Sequence, residues 1–202
     1  MSNAAIDHLS RADKTLGALI RKVGPCTLKP KPRRSPYESL LESITYQQLN
    51  GKAAATIFAR VKALFPGTKF PPADQLLAMD ETQLRGAGLS RTKVLAMKDL
   101  AAKTVEGIVP ERRILTRLSD DEIVERLTQV RGVGPWTVHM LLIFSMGRPD
   151  VLPSTDYGVQ KGYQLTYGLP ELPKPKDLIS AGECWSPHRS TAAWYLWRAL
   201  DT

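Results

Sequence analysis

The chain has 202 residues, 43% of them apolar, which is enough for one large domain or two small lobes around a packed core. It carries 28 basic and 20 acidic residues, and its formal net charge of +8 favours a polyanionic partner without requiring one. No apolar run is long enough to span a bilayer and the N-terminal segment lacks the apolar core of a secretory signal, so we expect a soluble cytosolic protein.

Cysteine and histidine are too sparse for the common metal centres. Cys26 and Cys184 are the two cysteines and lie far apart in the sequence, which excludes a Cys-rich zinc site and a four-cysteine iron–sulfur cluster within one chain. The three histidines, His8, His139 and His188, are also too scattered to indicate a metal site.

The N-terminal part of the chain has one predicted helix and one predicted linker. Residues 6–23 have the apolar spacing of an amphipathic helix, and residues 29–36 form a basic, proline-rich run that predicts an extended connector. The cations of this run suit either contact with DNA or plain solvation.

A helix is predicted to follow this connector and to end near Asn50. Ser35 and Glu38 form a capping box, and Pro36 occupies the first helical position. The uncharged polar cluster 46–49 therefore falls at the end of this helix, where side chains are able to project into a groove.

The middle of the chain also has a helical pattern. Apolar spacing and turn residues predict helices at 53–64, near 71–77, at 94–105, at 157–167 and at 190–200, with loops at 106–118 and 168–176. Residues 84–88 repeat the pattern of residues 130–134, but neither the Pro-Trp pair nor the later acid follows them. We interpret this first copy as structural, with backbone contact to DNA as an open possibility, and the whole pattern predicts an all-α fold.

A tight helical hairpin is predicted around residues 130–134. Ser119 and Glu122 form a second capping box that starts its first helix, Gly132 and Gly134 supply the positive φ values and close approach of a turn, and Pro135 opens a second helix through Met146. The unpaired N–H groups at the start of that second helix would bind a phosphate. An ordinary corner between two helices is the alternative.

A proline-containing loop with one acid follows the hairpin. Pro149 and Pro153 exclude a continuous helix, and Asp156 stands in the first turn of the helix predicted at 157–167. Taken alone, Asp156 also fits the role of an ordinary N-terminal helix acid.

These motifs are collinear with those of a known family. The hairpin with its Pro-Trp pair, the loop that ends at Asp156, and residues 43–54, 84–93 and 185–197 resemble the helix–hairpin–helix (HhH-GPD) DNA glycosylases, in particular the 3-methyladenine glycosylase II branch. The resemblance covers most of the chain. It implies a minimal form without the N-terminal β domain of larger members.

The resemblance also implies an architecture. We expect residues 1–202 to form one glycosylase domain with two helical lobes and an active-site cleft between them. The central helical bundle would span 35–150 and include the hairpin at about 120–146. The second lobe would combine 1–34 with 151–202.

The resemblance assigns Asp156 as the catalytic residue. By the same resemblance, the substrate-binding residues are Trp136, Tyr46 and Trp185. The DNA wedge comes from Gln47, Gln48 or Leu49, with the choice left open, and the DNA backbone is bound at Gly132, Gly134 and Thr137. Backbone carbonyls of Thr128, Val130 and Val133 are candidate ligands for a monovalent cation, Na⁺ or K⁺. Trp194 and Trp197 are assigned to the core by their helical spacing.

The implied reaction is base excision without strand cleavage. Relatives that cut the strand carry a lysine where this chain has Trp136, so no Schiff base is expected. The expected substrates are cationic alkylpurines, 3-methyladenine and 7-methylguanine, because their glycosidic bond breaks without protonation of the base. Met140 and His188 stand where family members often have an aromatic residue, which leaves the lesion spectrum open.

The expected partner is double-stranded DNA with damaged bases, bound by a monomer without a membrane. No cofactor is required and no iron–sulfur cluster is expected. The location would be the cytoplasm with its nucleoid in a bacterium, or the nucleus in a eukaryote. The alternatives are a non-enzymatic hairpin module that only binds DNA, and a glycosylase of the same superfamily for a different damaged base. Asp156 argues against the first alternative, because a protein that only binds DNA gains nothing from a carboxylate that faces phosphates.

Overall fold

A computed structural model describes residues 3–30 and 34–201 of this chain, and its regular elements there are all helical. The prediction of an all-α fold is confirmed. Of the connector predicted at 29–36, residues 31–33 lie outside the described residues. Within the described part of the chain, no helix combines the length and the apolar character needed to cross a membrane.

In chain order the α-helices are α1 (Asn3–Ala12), α2 (Lys14–Val23), α3 (Pro36–Tyr46), α4 (Gly51–Ala63), α5 (Ala73–Ala78), α6 (Glu81–Gly86), α7 (Arg91–Val105), α8 (Arg112–Leu115), α9 (Asp120–Leu127), α10 (Pro135–Met140), α11 (Tyr157–Tyr167), α12 (Pro175–Ala181) and α13 (Arg189–Arg198). A π-helix, Leu141–Met146, continues α10 directly. Two 3₁₀ segments, Gly182–Trp185 and Ala199–Asp201, flank α13.

The helices form two compact units. The central unit contains described residues 34–141, and the terminal unit contains described residues 3–30 and 142–201. The chain passes between them within the π-helix, whereas the expected bundle extended to residue 150.

Helix α7 is the centre of the central unit. It packs against α3, α5 and α6, and Val94, Met97 and Leu100 on its apolar face are fully buried. The same helix carries polar side chains to the hairpin turn and to the end of α3, as described below.

The terminal unit is built on a close crossing of α11 and α13. A Cβ atom at Gly162 would lie 1.9 Å from the carbonyl oxygen of Leu196, so the two helix backbones touch there and glycine is required. Leu9, Leu16 and Tyr195 are buried in the adjoining core. This crossing brings the first turn of α11 and the last turn of α13 together.

The single helix predicted at 6–23 is wrong, because Asp13 divides it into α1 and α2. Asp13 is extended, with φ −141° and ψ 107°, and its carboxylate accepts the N–H of Leu16 at 2.9 Å as the cap of α2. The same carboxylate accepts the hydroxyl of Tyr167 and the indole N–H of Trp185. These partners are distant in sequence, so spacing alone did not indicate the break.

Two short helices also differ from the predicted loops. Helix α8 lies inside the loop predicted at 106–118, and α12 begins at Pro175, within the loop predicted at 168–176. Proline at the first helical position of α12 is compatible with a helix because it needs no N–H there.

Candidate active site

The hairpin predicted around residues 130–134 is formed by α9, its turn and α10. As predicted, the Ser119 hydroxyl accepts the N–H of Glu122 at 3.2 Å, and the Glu122 carboxylate accepts the N–H of Ser119 at 2.7 Å. Gly132 has a φ of +76°, and a Cβ there would meet the Cβ of Ala96 in α7 at 3.4 Å. The turn therefore packs closely on α7.

The role of Gly134 in the hairpin depends on the open space beside it and not on an unusual backbone conformation. Its φ of −98° is accessible to other residues, so the positive value expected for it is wrong, unlike that expected for Gly132. Apart from its chain neighbours and its own helix backbone, no atom of the described residues lies within 4 Å of the position where its Cβ would be. It is the N-cap of α10, and no side chain in the described part of the chain caps that helix. The open approach suits an anion at the positive end of the helix dipole.

The first turn of α10 exposes Trp136 and buries Thr137. Trp136 is 44% exposed, as a residue that contacts a ligand must be. Thr137 is 3% exposed, so a contact between Thr137 and the DNA backbone has to come from its main chain, as it does at a glycine, and its predicted role stays a prediction. Helical geometry explains this difference, because consecutive positions point about 100° apart around the axis.

The three carbonyls proposed as cation ligands lie within the hairpin segment. The carbonyl of Val130 accepts the N–H of Val133 at 3.0 Å, which closes the turn, and the hydroxyl of Thr128 donates to the carbonyl of Val124 at 2.7 Å. Neutral carbonyl oxygens suit a hard monovalent cation, and a carbonyl keeps a second lone pair after one hydrogen bond. The donor chemistry therefore fits such an ion.

Asp156 is the N-cap of α11, and its Oδ1 atom accepts hydrogen bonds from two different helices. Its Oδ1 atom accepts the backbone N–H of Val159 at 2.8 Å and the indole N–H of Trp197 at 2.8 Å. Gly158 leaves room for this contact, because a Cβ there would lie 2.9 Å from Cδ1 of Trp197. Capping accounts for the first bond, and the second links the half-buried carboxylate to α13.

Trp197 was assigned to the core, and the structure gives it a second role. Its ring packs against the core of the terminal unit, and it also stacks on Phe144 of the π-helix with centroids 5.5 Å apart. Its N–H is the donor to Asp156. Helical spacing indicates burial of Trp197 but carries no signal for a partner 41 residues away.

Trp185 is wrong as a substrate-binding residue. Its side chain is 0% exposed, it belongs to the core of the terminal unit, and its N–H donates to Asp13 at 3.0 Å. The resemblance to the family predicted a role for Trp185 in the substrate pocket, but the indole of Trp185 is directed at the N-cap of α2 and not at solvent. Trp194 packs partly buried against the same core, as predicted.

The predicted wedge cluster is a tight turn between α3 and α4. Gln47 has φ −52° and ψ 132°, Gln48 has φ +56°, and the N–H of Leu49 donates to the carbonyl of Tyr46 at 3.3 Å. These values describe a type II turn with glutamine where glycine is usual. A left-handed backbone conformation is unusual for a residue other than glycine, and it persists only where the surrounding structure imposes it.

The side chains of this turn have different environments. Gln48 is exposed and Leu49 is 38% exposed, whereas the Gln47 amide donates to the carbonyl of Gly132 at 2.9 Å. Tyr46 is partly buried and meets Phe58 edge-on, with centroids 6.5 Å apart. Asn50 caps α4 by accepting the N–H of Ala53 at 2.8 Å.

Comparison with known proteins places these features in a family. Residues 41–187 match the HhH-GPD superfamily base excision DNA repair protein. The chain is 39% identical over 196 residues to DNA-3-methyladenine glycosylase 1 of Schizosaccharomyces pombe, covering 95% of this chain and 84% of that protein. It is 30% identical over 172 residues to the protein named putative DNA-3-methyladenine glycosylase YfjP of Bacillus subtilis, covering 83% of this chain and 60% of that protein.

Two solved structures are similar over nearly the whole chain. S. pombe 3-methyladenine DNA glycosylase (Mag1) in complex with abasic-DNA gives a TM-score of 0.85 at 38% identity, covering 96% of this chain and 95% of that one. DNA-3-methyladenine glycosidase from Bacillus halodurans gives a TM-score of 0.88 at 33% identity, covering 98% of this chain and 89% of that one.

A tight glycine hairpin and an aspartate at the head of a later helix define a helix–hairpin–helix repair protein. The chain belongs to the HhH-GPD superfamily of base excision DNA repair proteins. The family predicted from its motifs, and its 3-methyladenine branch, are confirmed.

Proposed function

We propose that this protein is a monofunctional DNA glycosylase that hydrolyses the N-glycosidic bond of cationic alkylpurines. The observation that carries the proposal is the Asp156 carboxylate, held at Oδ1 by Val159 and Trp197 at the head of α11. Similarity to proteins named DNA-3-methyladenine glycosylase supports the substrate class. The activity belongs to base excision repair.

Asp156 stabilises the positive charge that develops on the sugar as the base departs. A carboxylate fixed beforehand needs no reorganisation at the moment of reaction, which makes its electrostatic stabilisation effective. The same group orients the attacking water. The N–H groups of Val159 and Trp197 supply this fixation from two different helices.

The preference for cationic bases follows from leaving-group chemistry. N3- or N7-alkylation places a positive charge on the purine, so the bond breaks without a strong general acid. The exposed indole of Trp136 offers an electron-rich face that attracts a cationic ring. Trp136 also provides no amine for a Schiff base, so the product is an abasic site in an uncut strand.

The partner is duplex DNA, anchored at the start of α10 and bound by a monomer. The open approach at Gly134, the uncapped helix end and the net charge of +8 support phosphate binding there. The protein would act where the DNA is, in the cytoplasm of a bacterium or the nucleus of a eukaryote.

The wedge is formed by Gln48 and Leu49. Both side chains are exposed at the tip of the type II turn, and the left-handed backbone of Gln48 holds the tip in place. A side chain inserted there would replace the extruded nucleotide in the stack.

A monovalent cation, Na⁺ or K⁺, is the one bound ion that we propose, held by carbonyls of Thr128, Val130 and Val133. Such an ion would supply positive charge next to a phosphate. All three carbonyls belong to the hairpin segment, which supports this proposal, and no cofactor is proposed for the hydrolysis.

We expect Gly134→Asp to weaken binding to damaged and undamaged duplexes alike, by roughly tenfold at low salt, because its carboxylate would repel the anchored phosphate. The open space at Gly134 leaves the fold intact. Titration of labelled duplexes at several salt concentrations measures the effect. Gln75→Glu, an equal change of charge on the exposed side of α5, is the control and should bind as wild type does. Unaltered binding by Gly134→Asp would contradict the anchor.

The substrate class is tested by side-by-side excision from duplexes with single defined lesions. We expect faster release of 3-methyladenine and 7-methylguanine than of the neutral bases hypoxanthine and 8-oxoguanine. Trp136→Ala should reduce this preference by about five- to tenfold beyond its general loss of rate, as expected for one cation–π contact. Borohydride should trap no covalent adduct. Equal or faster excision of a neutral oxidised purine would move the chain to another branch of the superfamily.

A further inference from the structure

The turn formed by residues 46–49 is called the wedge turn below. Polar contacts within the central unit join the wedge turn to the DNA-anchoring hairpin. The Nε2 atom of Gln47 donates to the carbonyl of Gly132 at 2.9 Å. The carbonyl of Gln47 in turn accepts the ammonium of Lys93 at 2.7 Å. One residue of the wedge turn therefore contacts the hairpin through its side chain and α7 through its backbone.

Lys93 holds the C-terminal end of α3. Its ammonium donates to the carbonyl of Thr45 at 2.6 Å as well as to that of Gln47, and both carbonyls belong to a helix end that leaves acceptors unsatisfied. A cation is also favourable at the negative end of the helix dipole. Burial lowers the pKa of Lys93, which agrees with an ammonium removed from bulk water to serve these carbonyls.

Asp99 holds the hairpin turn, and it lies on α7 six residues after Lys93. Its Oδ2 atom accepts the backbone N–H of Arg131 at 2.7 Å, one residue before Gly132, and Lys103 donates to both of its oxygens. Burial alone would raise the pKa of Asp99, but the N–H of Arg131 and the ammonium of Lys103 outweigh it and leave that pKa below its usual value. The hairpin turn and the wedge turn are thus fixed to the same helix.

We propose that Gln47 is a positioning residue that locks the wedge turn to the hairpin, and that it does not enter the duplex. This inference rests on the proposed function, because it assigns a role in base extrusion. A wedge must project freely, whereas the Gln47 amide is already engaged with Gly132 on the protein. A rigid link ensures that the DNA backbone, once anchored at α10, meets Gln48 and Leu49 in a fixed register.

The test compares Gln47→Met with Gln47→Ala. Methionine keeps the length of glutamine and is able to enter a base stack, but it has no N–H to donate to Gly132. If Gln47 positions the turn, both variants should lose single-turnover excision rate by about tenfold, the cost of one intramolecular hydrogen bond. Gln75→Met, on the exposed side of α5, should excise at the wild-type rate.

A binding measurement separates positioning from a general loss of stability. We expect the Gln47 variants to bind undamaged duplex as wild type does and to lose about tenfold of their preference for a duplex with an abasic-site analogue. Lys93→Met should give a loss of the same kind, and the double variant Gln47→Met/Lys93→Met should lose less than the product of the two. Thermal unfolding of each variant identifies effects of misfolding.

The inference is overturned if Gln47→Met keeps the wild-type rate and abasic-site preference, because a wedge would tolerate methionine. Independent, multiplicative losses in the double variant would also overturn the shared link. If the wild-type protein released no alkylpurine, the proposed function would fail by itself. The ratio of abasic to undamaged affinity would still decide the role of Gln47, because it requires no catalysis.

Discussion

Asp156→Asn should reduce the single-turnover rate of alkylpurine release by at least about 100-fold, because it removes the charge that stabilises the sugar cation. DNA affinity should stay equal or rise slightly, since one negative charge near phosphates is lost. The rate is measured with enzyme in excess over methylated duplex, so that binding and product release do not limit it.

The structure makes this substitution a clean test. Both described donors, the N–H of Val159 and the indole N–H of Trp197, reach Oδ1, and an asparagine oxygen accepts the same bonds. The cap of α11 and its link to α13 should therefore survive. Asn is also a good N-cap residue, so thermal unfolding should differ little from that of the wild-type protein.

Asp80→Asn is the matched control. Asp80 is also an N-cap residue, which caps α6 by accepting the N–H of Thr82 at 2.7 Å, and it belongs to no proposed site. It should excise at the wild-type rate. Comparable excision by Asp156→Asn and Asp80→Asn would refute the catalytic assignment.

The second large effect is on stability, at Gly162. Gly162→Ala should lower the free energy of unfolding by about 3 kcal/mol or more, because its Cβ would overlap the main chain of Leu196, which is unable to move aside as a side chain could. Denaturant titration followed by circular dichroism measures the loss.

Any folded Gly162→Ala protein should also lose activity. Separation of α11 from α13 would move the Trp197 indole away from Asp156, whose 2.8 Å contact depends on that crossing. Gly86→Ala is the control, because a Cβ at the end of α6 meets no atom of another described element within 4 Å. Equal stability of Gly162→Ala and Gly86→Ala would contradict the close packing of the two helices.

The features predicted correctly from the sequence are those with local causes. The capping boxes at Ser35 and Ser119 and the helix 157–167 depend on contacts between residues three or four apart, which spacing reveals. The positive φ of Gly132 follows from a turn that needs it. Family resemblance then identified Asp156, whose local signal alone is that of a helix cap.

The features that spacing missed depend on partners far along the chain. Trp185 and Trp197 look alike as aromatic residues, yet one is buried against Asp13 and the other donates to Asp156. Gln47 and Gln48 are also alike in sequence, and the Gly132 carbonyl, 85 residues from Gln47, distinguishes them. Side-chain direction within one turn is a tertiary property, which explains why the wedge candidates could not be separated in advance.

Release of free base from methylated duplex DNA, quantified by chromatography with wild-type protein in excess, tests the catalytic proposal most directly. We predict that free 3-methyladenine and 7-methylguanine appear, that the strand stays uncut with abasic sites, and that Asp156→Asn releases neither base at a comparable rate. Normal duplex binding by the wild-type protein without any free base would contradict the proposal and leave a DNA-binding module without glycosylase activity.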